Sequence, residues 1–490
     1  MPSSKTQAIP SKPSFLFKIR LALIYSFPVV LFCSYYPVIP IVSTASTNYE
    51  LSLPLIWLLL FSVLSLKDFL IAIYNIYKKH RLYLSGLLFP IYLSASAIWS
   101  INHLRAVMTA GILWCIIITS VTLFTVFRPN KAFSKTRFFK ILFYSTAIFC
   151  GLCWLQSILD CFEVDRSITL LCRGCVSYSF GFPHPSGLAI EPQFMGNLLL
   201  APTLAAIYFW ARAHSKTNDN VPFSSRSLLF FSLLLSCTLF FTFSRGAIYS
   251  FFVAFIVLFF VSIIRLRQKE FWKTLPLIFF SLIFTLLMQG AFSAASYTDS
   301  TFLGGIEKSI SQMTLGKINL HLETKNPSSN SSEDAPETKP EAPVFDGYVE
   351  ESTNTRMRFN RIALELSSRT PSSAAFGYGL GSAGEIMYKE GKTASAYELI
   401  QNEYLSLLLE TGIFGLLLAV LMIAIIIRAA KKFTHPYHYL LGSIILSFLF
   451  SLLFFSGLPN AMHLYLFPVF FLTILPLPAQ SLRSHSSSRA

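Results

Sequence analysis

Few residues in this 490-residue chain could do chemistry, and most of them stand at the ends of apolar stretches. Outside the basic loops the ionisable groups are Glu191, Arg245, Glu403 and Glu410, with Arg105, Arg173 and His184 close by in the same pattern. A charge beside an apolar helix is costly in lipid and is usually kept for function. All of these except Glu410, about a turn deeper, fall toward one face and could share one cavity. Guanidinium groups there could hold an anion, and carboxylates could orient or deprotonate a nucleophile.

Arg245 lies in FTFSRGAIYS, the break between two apolar stretches. Ser244 is a good N-cap, and Gly246 lets another backbone approach. Arg245 then stands in the first turn of a helix, where N–H groups and a guanidinium make an anion site. The plainer reading is an arginine snorkelling to headgroups. Glu191 precedes Pro192 in HPSGLAIEPQFMGN, a helix entrance with proline at the first helical position. Its plainer reading is an acidic residue that complements the helix dipole.

The segment 356–369, RMRFNRIALELSSR, puts Arg358, Arg361 and Arg369 near one helical stripe, with Arg356 apart from them. It is either a solvated face or a platform for an anionic substrate brought in over the membrane. FGYGLGS follows, with Gly377, Gly379 and Gly381. It lacks the last glycine and the strand–turn–helix setting of a dinucleotide fingerprint, so it reads as a flexible turn. Glu398, Gln401, Asn402 and Glu403 gather at the start of the next apolar run. Within that run, Gly412 and Gly415 form a small-x-x-small step suited to close helix packing.

The elements that must position these groups are membrane helices. Hydrophobic residues make up 53% of the chain and charged residues 13%, about half the charge of an ordinary soluble domain. Apolar runs of about 16 to 25 residues have the length of membrane helices. They exclude a soluble globular enzyme, and also a barrel of alternating strands of about ten residues. The predicted spans are 19–42, 51–75, 82–100, 105–127, 138–159, 193–211, 228–243, 246–264, 273–292, 401–427, 438–456 and 460–478. The expectation is an all-α polytopic membrane protein of about twelve transmembrane helices. Pro28, Pro37 and Pro40 bend the first span, and Lys67 and Asp68 stand near the end of the second.

The net charge of +15 is concentrated in short loops between the spans, which argues against nucleic acid as its reason. With the N-terminus in the cytoplasm, the inner segments hold 25 Lys and Arg and the short outer loops hold four. That bias places both termini in the cytoplasm. The first apolar stretch is too long for a signal-peptide core and reads as a retained helix. The expected order is a cytoplasmic tail at 1–18, nine helices over 19–292 with an outer loop at 160–192, a large outer loop at 293–400, three helices over 401–478 and a cytoplasmic tail at 479–490. The large loop lies between helices nine and ten. Its middle, 323–346, is rich in Pro, Ser and Glu and reads as disordered. Around it, 303–320 and 355–369 read as short amphipathic helices.

Cys33, Cys115, Cys150, Cys153 and Cys237 fall in apolar helices as small packing residues. Cys161, Cys172 and Cys175 lie in the first outer loop, where one pair could bridge if that side is oxidising. Three cysteines with His184 match a zinc site in number alone, and no metal is expected.

Taken together in this order, the motifs resemble the bacterial O-antigen ligase and O-antigen polymerase superfamily, whose members transfer glycans from a lipid carrier. The resemblance spans about 170 to 425, together with the twelve-helix layout and its long outer loop. TFSRGA at 242–247 looks like the family's Ser-Arg-x-Ala helix start, and GLAIEP at 187–192 like its Gly-then-Glu-Pro segment. RMRFNRIALEL, Pro371 and GYGLGS look like its Arg…Ala-Leu…Pro…Gly-x-Gly stretch, with Arg356 on the family arginine by its spacing to Ala363 and Pro371. QNEYLSLLLETGIFG resembles its His-Asn…Gly-x-x-Gly signature, and Asn402 and Gly412 keep the spacing. Two positions depart from the family: its signature histidine is Gln401 here, and an arginine often found ahead of the Gly-Glu-Pro segment is His184.

The resemblance implies a metal-independent glycosyltransferase without a cofactor. Its donor would be a glycan on undecaprenyl diphosphate, and its acceptor a glycan or glycolipid hydroxyl at the outer face of the bacterial inner membrane. Arg245 and Arg356 would hold the diphosphate. Glu191 or Glu403 would orient or deprotonate the acceptor, with Glu398 and His184 as further candidates for the base. Gln401 and Asn402 would bind sugar hydroxyls, with His184, Arg358 and Arg361 also on the substrate. A neutral amide cannot take a proton as imidazole does, so Gln401 would position substrate by hydrogen bonding. The loop 293–400 would close as a lid. The Glu-Pro segment and the missing histidine favour a polymerase over a ligase. A lipid-linked oligosaccharide transporter would also be polytopic and basic, but should show an internal repeat; a non-catalytic assembly partner is a further alternative. Nucleic acid is not an expected partner.

Overall fold

A computed structural model of the chain describes residues 15–34, 37–43, 48–79, 81–161, 176–177, 184–189, 191–214, 223–266, 268–295, 301–314, 318, 320, 348–396, 398–433, 437–456 and 466–475. The helices are α1 (Phe15–Phe32), α2 (Leu53–Lys79), α3 (Leu88–Ser96), α4 (His103–Thr122), α5 (Lys135–Cys161), α6 (Pro192–Ala213), α7 (Ser225–Phe241) and α8 (Arg245–Ile264). There follow α9 (Thr274–Ala295), α10 (Phe302–Met313), α11 (Tyr348–Ser367), α12 (Pro371–Phe376), α13 (Ala383–Lys389), α14 (Glu403–Phe433), α15 (His438–Ser451) and α16 (Leu466–Ile474). Two small antiparallel pairs accompany them: β1 (Val38–Ser43) with β2 (Asn48–Ser52), and β3 (Val176–Ser177) with β4 (His184–Pro185).

Eight helical stretches among the described residues are long and apolar enough to cross a membrane, and three shorter apolar helices fall on further predicted spans. With α16 they cover the twelve predicted positions. The chain is a polytopic helical membrane protein.

The first two spans differ from expectation. α1 stops at Phe32, and 38–42, expected as its continuation, is β1 instead. Pro40 has no N–H to give a helix, whereas a strand of a two-stranded pair accepts it at its open edge. α2 runs on through Lys67 and Asp68 to Lys79. Asp68 is tolerated there because Arg20 of α1, itself buried, forms an ion pair with it. Charges at membrane depth are found paired in this way. The tail 1–14, the segment 323–346, Cys172, Cys175, 457–465 and 476–490 lie outside the described residues, and of Cys161 only the backbone is described.

The bundle is built around α6. In its most apolar stretch 94% of residues are buried, against 22% for α14. α6 is apolar all round and is enclosed by α5, α7, α8 and α15, as an all-round apolar helix must be. α14 turns one flank to the protein and keeps Ile413, Leu417 and Val420 exposed, as a lipid-facing helix does. Close approach of α6 and α8 depends on Gly196: a Cβ there would stand 2.8 Å from that of Ala247. Between α9 and α14, α10 folds back on α9. α11 lays Phe359, Ile362, Ala363 and Leu366 against Ile386 and Met387 of α13 and Leu409 of α14. The predicted helix at 355–369 is present in α11, and that at 303–320 as the shorter α10, which ends at Met313; both are docked.

Candidate functional site

The break TFSRGA folds as a tight turn into α8. Ser244 is the N-cap, accepting the Ala247 N–H at 3.4 Å. Thr242 Oγ1 accepts the Ser244 N–H at 3.3 Å. Phe243 has φ 48°, and no other non-glycine residue among those described has a positive φ. Arg245 comes out half-buried at the first position of α8, among the N–H groups that an unfinished first turn leaves pointing outward. A Cβ on Gly246 would lie 2.8 Å from Phe454 Cβ, so only glycine lets the segment after α15 pass there.

The loop ahead of α6 packs beside this turn. Gln156 of α5 grips Gly187 on both sides, donating to its carbonyl at 2.9 Å and accepting its N–H at 3.1 Å. His184 is 4% exposed, hydrogen-bonded to the Thr242 backbone, and edge-on to the Phe243 ring at 5.5 Å. Burial pushes its imidazole down to about 3, so it stays neutral. His184 thus packs against the back of the turn that carries Arg245.

Glu191 takes the N-cap position of α6 in extended backbone, with Pro192 at the first turn as expected, but its side chain makes no capping bond. It is exposed, yet the surrounding protein raises its carboxyl above the usual carboxylate range, and the Arg356 guanidinium opposes that rise. Arg356, half-buried on α11, is therefore beside Glu191. Arg358 and Arg361 are exposed on the same helix, Arg358 over the Phe359 ring. Arg369 bonds Glu390 at 2.7 Å. The predicted separation of Arg356 from the other arginines is thus a separation of surroundings as well.

The start of α14 closes the site from another side. Asn402 Oδ1 caps the helix, accepting the N–H groups of Tyr404 at 3.1 Å and Leu405 at 3.2 Å. Glu403 is buried, its N–H donating to the Leu452 carbonyl at 2.8 Å and its Oε2 accepting from the Ser456 hydroxyl at 3.2 Å. Gln193 of α6 donates to the Phe454 carbonyl at 2.6 Å. Residues 452–456 thus tie the starts of α6, α8 and α14 together. Sequence reasoning passed over them, because they read as the end of an apolar helix; the Ser456-Gly457 break was the only sign. Gln401 is half-buried, and its Oε1 has no hydrogen-bond partner among the described residues. It is an acceptor left for something else.

Glu410 is not part of this cluster. Buried two turns further along α14, it accepts the Ala383 N–H at 3.2 Å and lies beside Arg105. Its carbonyl accepts the Gly379 N–H at 2.7 Å, and that of Leu409 accepts the Tyr378 N–H at 3.0 Å. FGYGLGS is therefore a backbone plug docked on α14. Gly379 has φ 92°, and a Cβ on it would stand 2.3 Å from Ser100 Cα. Gly412, expected to serve helix packing, instead breaks α14 with φ 64°, where the Ala375 carbonyl approaches. Tyr92 hydroxyl takes up the Thr411 carbonyl at 2.8 Å.

The site therefore unites Glu191, Arg245, Arg356 and the 401–403 segment at the starts of three helices, with His184 behind it and Glu410 and Arg105 apart. Comparison with known proteins bears on the same region. The O-antigen ligase family model matches residues 230–420, from α7 into α14. The match includes Arg245, Arg356 and Gln401 to Glu403, and leaves out His184 and Glu191. No curated protein matches the chain. Over this segment the chain, a multi-pass membrane protein, is similar to the O-antigen ligase family.

Proposed function

We propose that the chain is a repeat-unit polymerase of a cell-surface polysaccharide. It would transfer a glycan from undecaprenyl diphosphate to an acceptor sugar hydroxyl at the outer face of the bacterial inner membrane. The observation that carries this is the meeting of Glu191 with Arg356 beside the helix start that bears Arg245. A carboxylate and cations in one place are what the reaction needs.

In this reading Arg245 and Arg356 hold the donor diphosphate and stabilise the charge that grows on it as the sugar C–O bond breaks. The acceptor oxygen bonds the freed carbon, and its proton passes to Glu191, whose raised pKa makes its carboxylate a stronger base than an ordinary one. Glu403, already bonded to Ser456, holds the floor of the site or shares in orienting the acceptor. Gln401 Oε1 and the Asn402 amide group take sugar hydroxyls. Arg358 and Arg361, exposed on α11, meet the anionic donor on its way in. Arginine supplies the positive charge, and neither metal nor cofactor has a role. The segment 293–400 acts as a lid, with both chain termini on the cytoplasmic side.

A ligase, which would pass the finished glycan to a lipid A-core acceptor, is the second reading; the description of the matching family favours it. A gel of lipid-linked and surface glycans from the source cell separates the two. It would compare wild type, deletion, and deletion carrying Arg245→Ala. Acceptors with a single repeat unit after deletion mean a polymerase, and long chains held on the carrier mean a ligase. A normal ladder with Arg245→Ala overturns the site, and an unchanged glycan profile after deletion overturns both readings.

A further inference from the structure

The turn that presents Arg245 is held in a conformation it would not choose. A bulky L residue such as Phe243 adopts φ 48° only when its surroundings impose it. Those surroundings form one chain of contacts. Gln156, 4% exposed, fixes Gly187 by two hydrogen bonds. The same buried loop carries His184, whose ring bonds the Thr242 backbone and lies edge-on to Phe243. Thr242 Oγ1 accepts the Ser244 N–H, and Ser244 caps the helix that begins with Arg245. On the other flank α6 leaves no slack, since a Cβ on Gly196 would stand 3.1 Å from both Thr242 Oγ1 and Ser244 Cβ.

From this geometry we infer that His184 is a positioning residue for Arg245: it holds the Thr242–Ser244 turn from behind, and Gln156 anchors the loop that carries it. In this role His184 touches no substrate and takes no part in proton transfer. Its buried imidazole fits that role, because a ring enclosed by protein and seated against Phe243 keeps one orientation. Only the effect on carrier binding rests on the proposed function; the aim of Arg245 does not.

The test uses the full chain in membrane vesicles. Position 245 is made Arg245→Cys and labelled with a membrane-impermeant, charged methanethiosulfonate, with the parent chain as background. His184→Phe keeps the ring against Phe243 and removes the N–H; Gln156→Met cuts the same chain of contacts one link earlier. Each is expected to change the labelling rate by about tenfold or more, since small displacements in a site have effects of that order. His184→Asn or His184→Gln, whichever returns an amide N–H to the Thr242 carbonyl, should restore it. Unchanged rates in variants present at normal amounts overturn the inference.

A second readout is the affinity of the detergent-purified chain for undecaprenyl diphosphate. His184→Phe should weaken it about tenfold in the parent, and no further once Arg245→Ala is present. Additive losses mean that His184 meets the ligand itself, and they overturn the inference. If Arg245→Ala alone leaves the affinity unchanged, the diphosphate assignment fails while the labelling rates still decide the role of His184.

Discussion

Glu191 and Arg356 form the pair whose chemistry is most open to measurement. The surrounding protein raises the Glu191 carboxyl and Arg356 lowers it. If Glu191 is the base, turnover is present above its pKa and is lost as pH falls through it. Arg356→Gln removes the opposing charge, so the acid limb of the pH–rate profile should move to higher pH. The position of the limb is the readout, because loss of a diphosphate ligand will also lower the whole curve; an unmoved limb assigns the proton elsewhere. Gln401 makes a separate prediction. With Oε1 buried and unpartnered among the described residues, it acts as a hydrogen-bond acceptor. Gln401→His should keep turnover within a few-fold, without a new limb near pH of about 6.5, whereas Gln401→Leu should raise KM about tenfold or more. A gain in turnover with a histidine-like limb would show that the step wants a titrating group. The candidacy of both residues was legible in the sequence. That Glu191 faces Arg356 rather than capping its own helix was not, because the partner is 165 residues away in the chain.

At the scale of elements, the glycine-rich plug and the break in α14 are one device. Gly412 interrupts the helix, Gly379 slips its backbone against Ser100, and Glu410 takes the Ala383 N–H. Gly379→Ala would drive a Cβ into the Ser100 backbone at φ 92°. It should destabilise the chain by about 2 kcal/mol or more, visible as a lower melting temperature in detergent and reduced accumulation in membranes. A variant as stable as the parent would show that the plug is loosely held. Arg358 and Arg361 belong to this scale too. Exposed on α11, they should tolerate single substitution to Gln with at most about a threefold loss of turnover, the size of a screened surface charge effect, where Arg356→Gln costs far more. The helical stretch was visible as an amphipathic segment at 355–369. Which arginine faces inward depended on what α11 packs against.

At the scale of the molecule, the charge bias of the loops predicts an orientation. Ser372 and Lys131 are both exposed, the first between α11 and α13, the second between α4 and α5. Ser372→Cys should react with an impermeant thiol reagent in intact cells, and Lys131→Cys only after the membrane is opened. The reverse pattern would invert the topology and move the site to the cytoplasmic side. Buried charge follows the same logic of the solvent: Arg20 and Asp68 are tolerated within the bundle because they meet each other, and Arg212 because it bonds the Tyr208 hydroxyl at 2.8 Å.

The amino-acid sequence by itself determined that this chain lives in lipid, where its helices run to within a few residues for most spans, and which groups could act. Hydropathy and helix ends are local properties, written in neighbours along the chain. It also carried the resemblance, because TFSRGA, GLAIEP and QNEY mark helix starts whose chemistry is local. Only the tertiary structure decided how those starts converge. α1 ends early because 38–43 finds a strand partner; α2 runs on because Arg20 neutralises Asp68. His184 packs against the back of the Arg245 turn, and Glu410, set apart from the other ionisable groups in the sequence, packs on the glycine plug. Each of these outcomes depends on a partner that is far away in the chain, and neither composition nor periodicity encodes such a pairing.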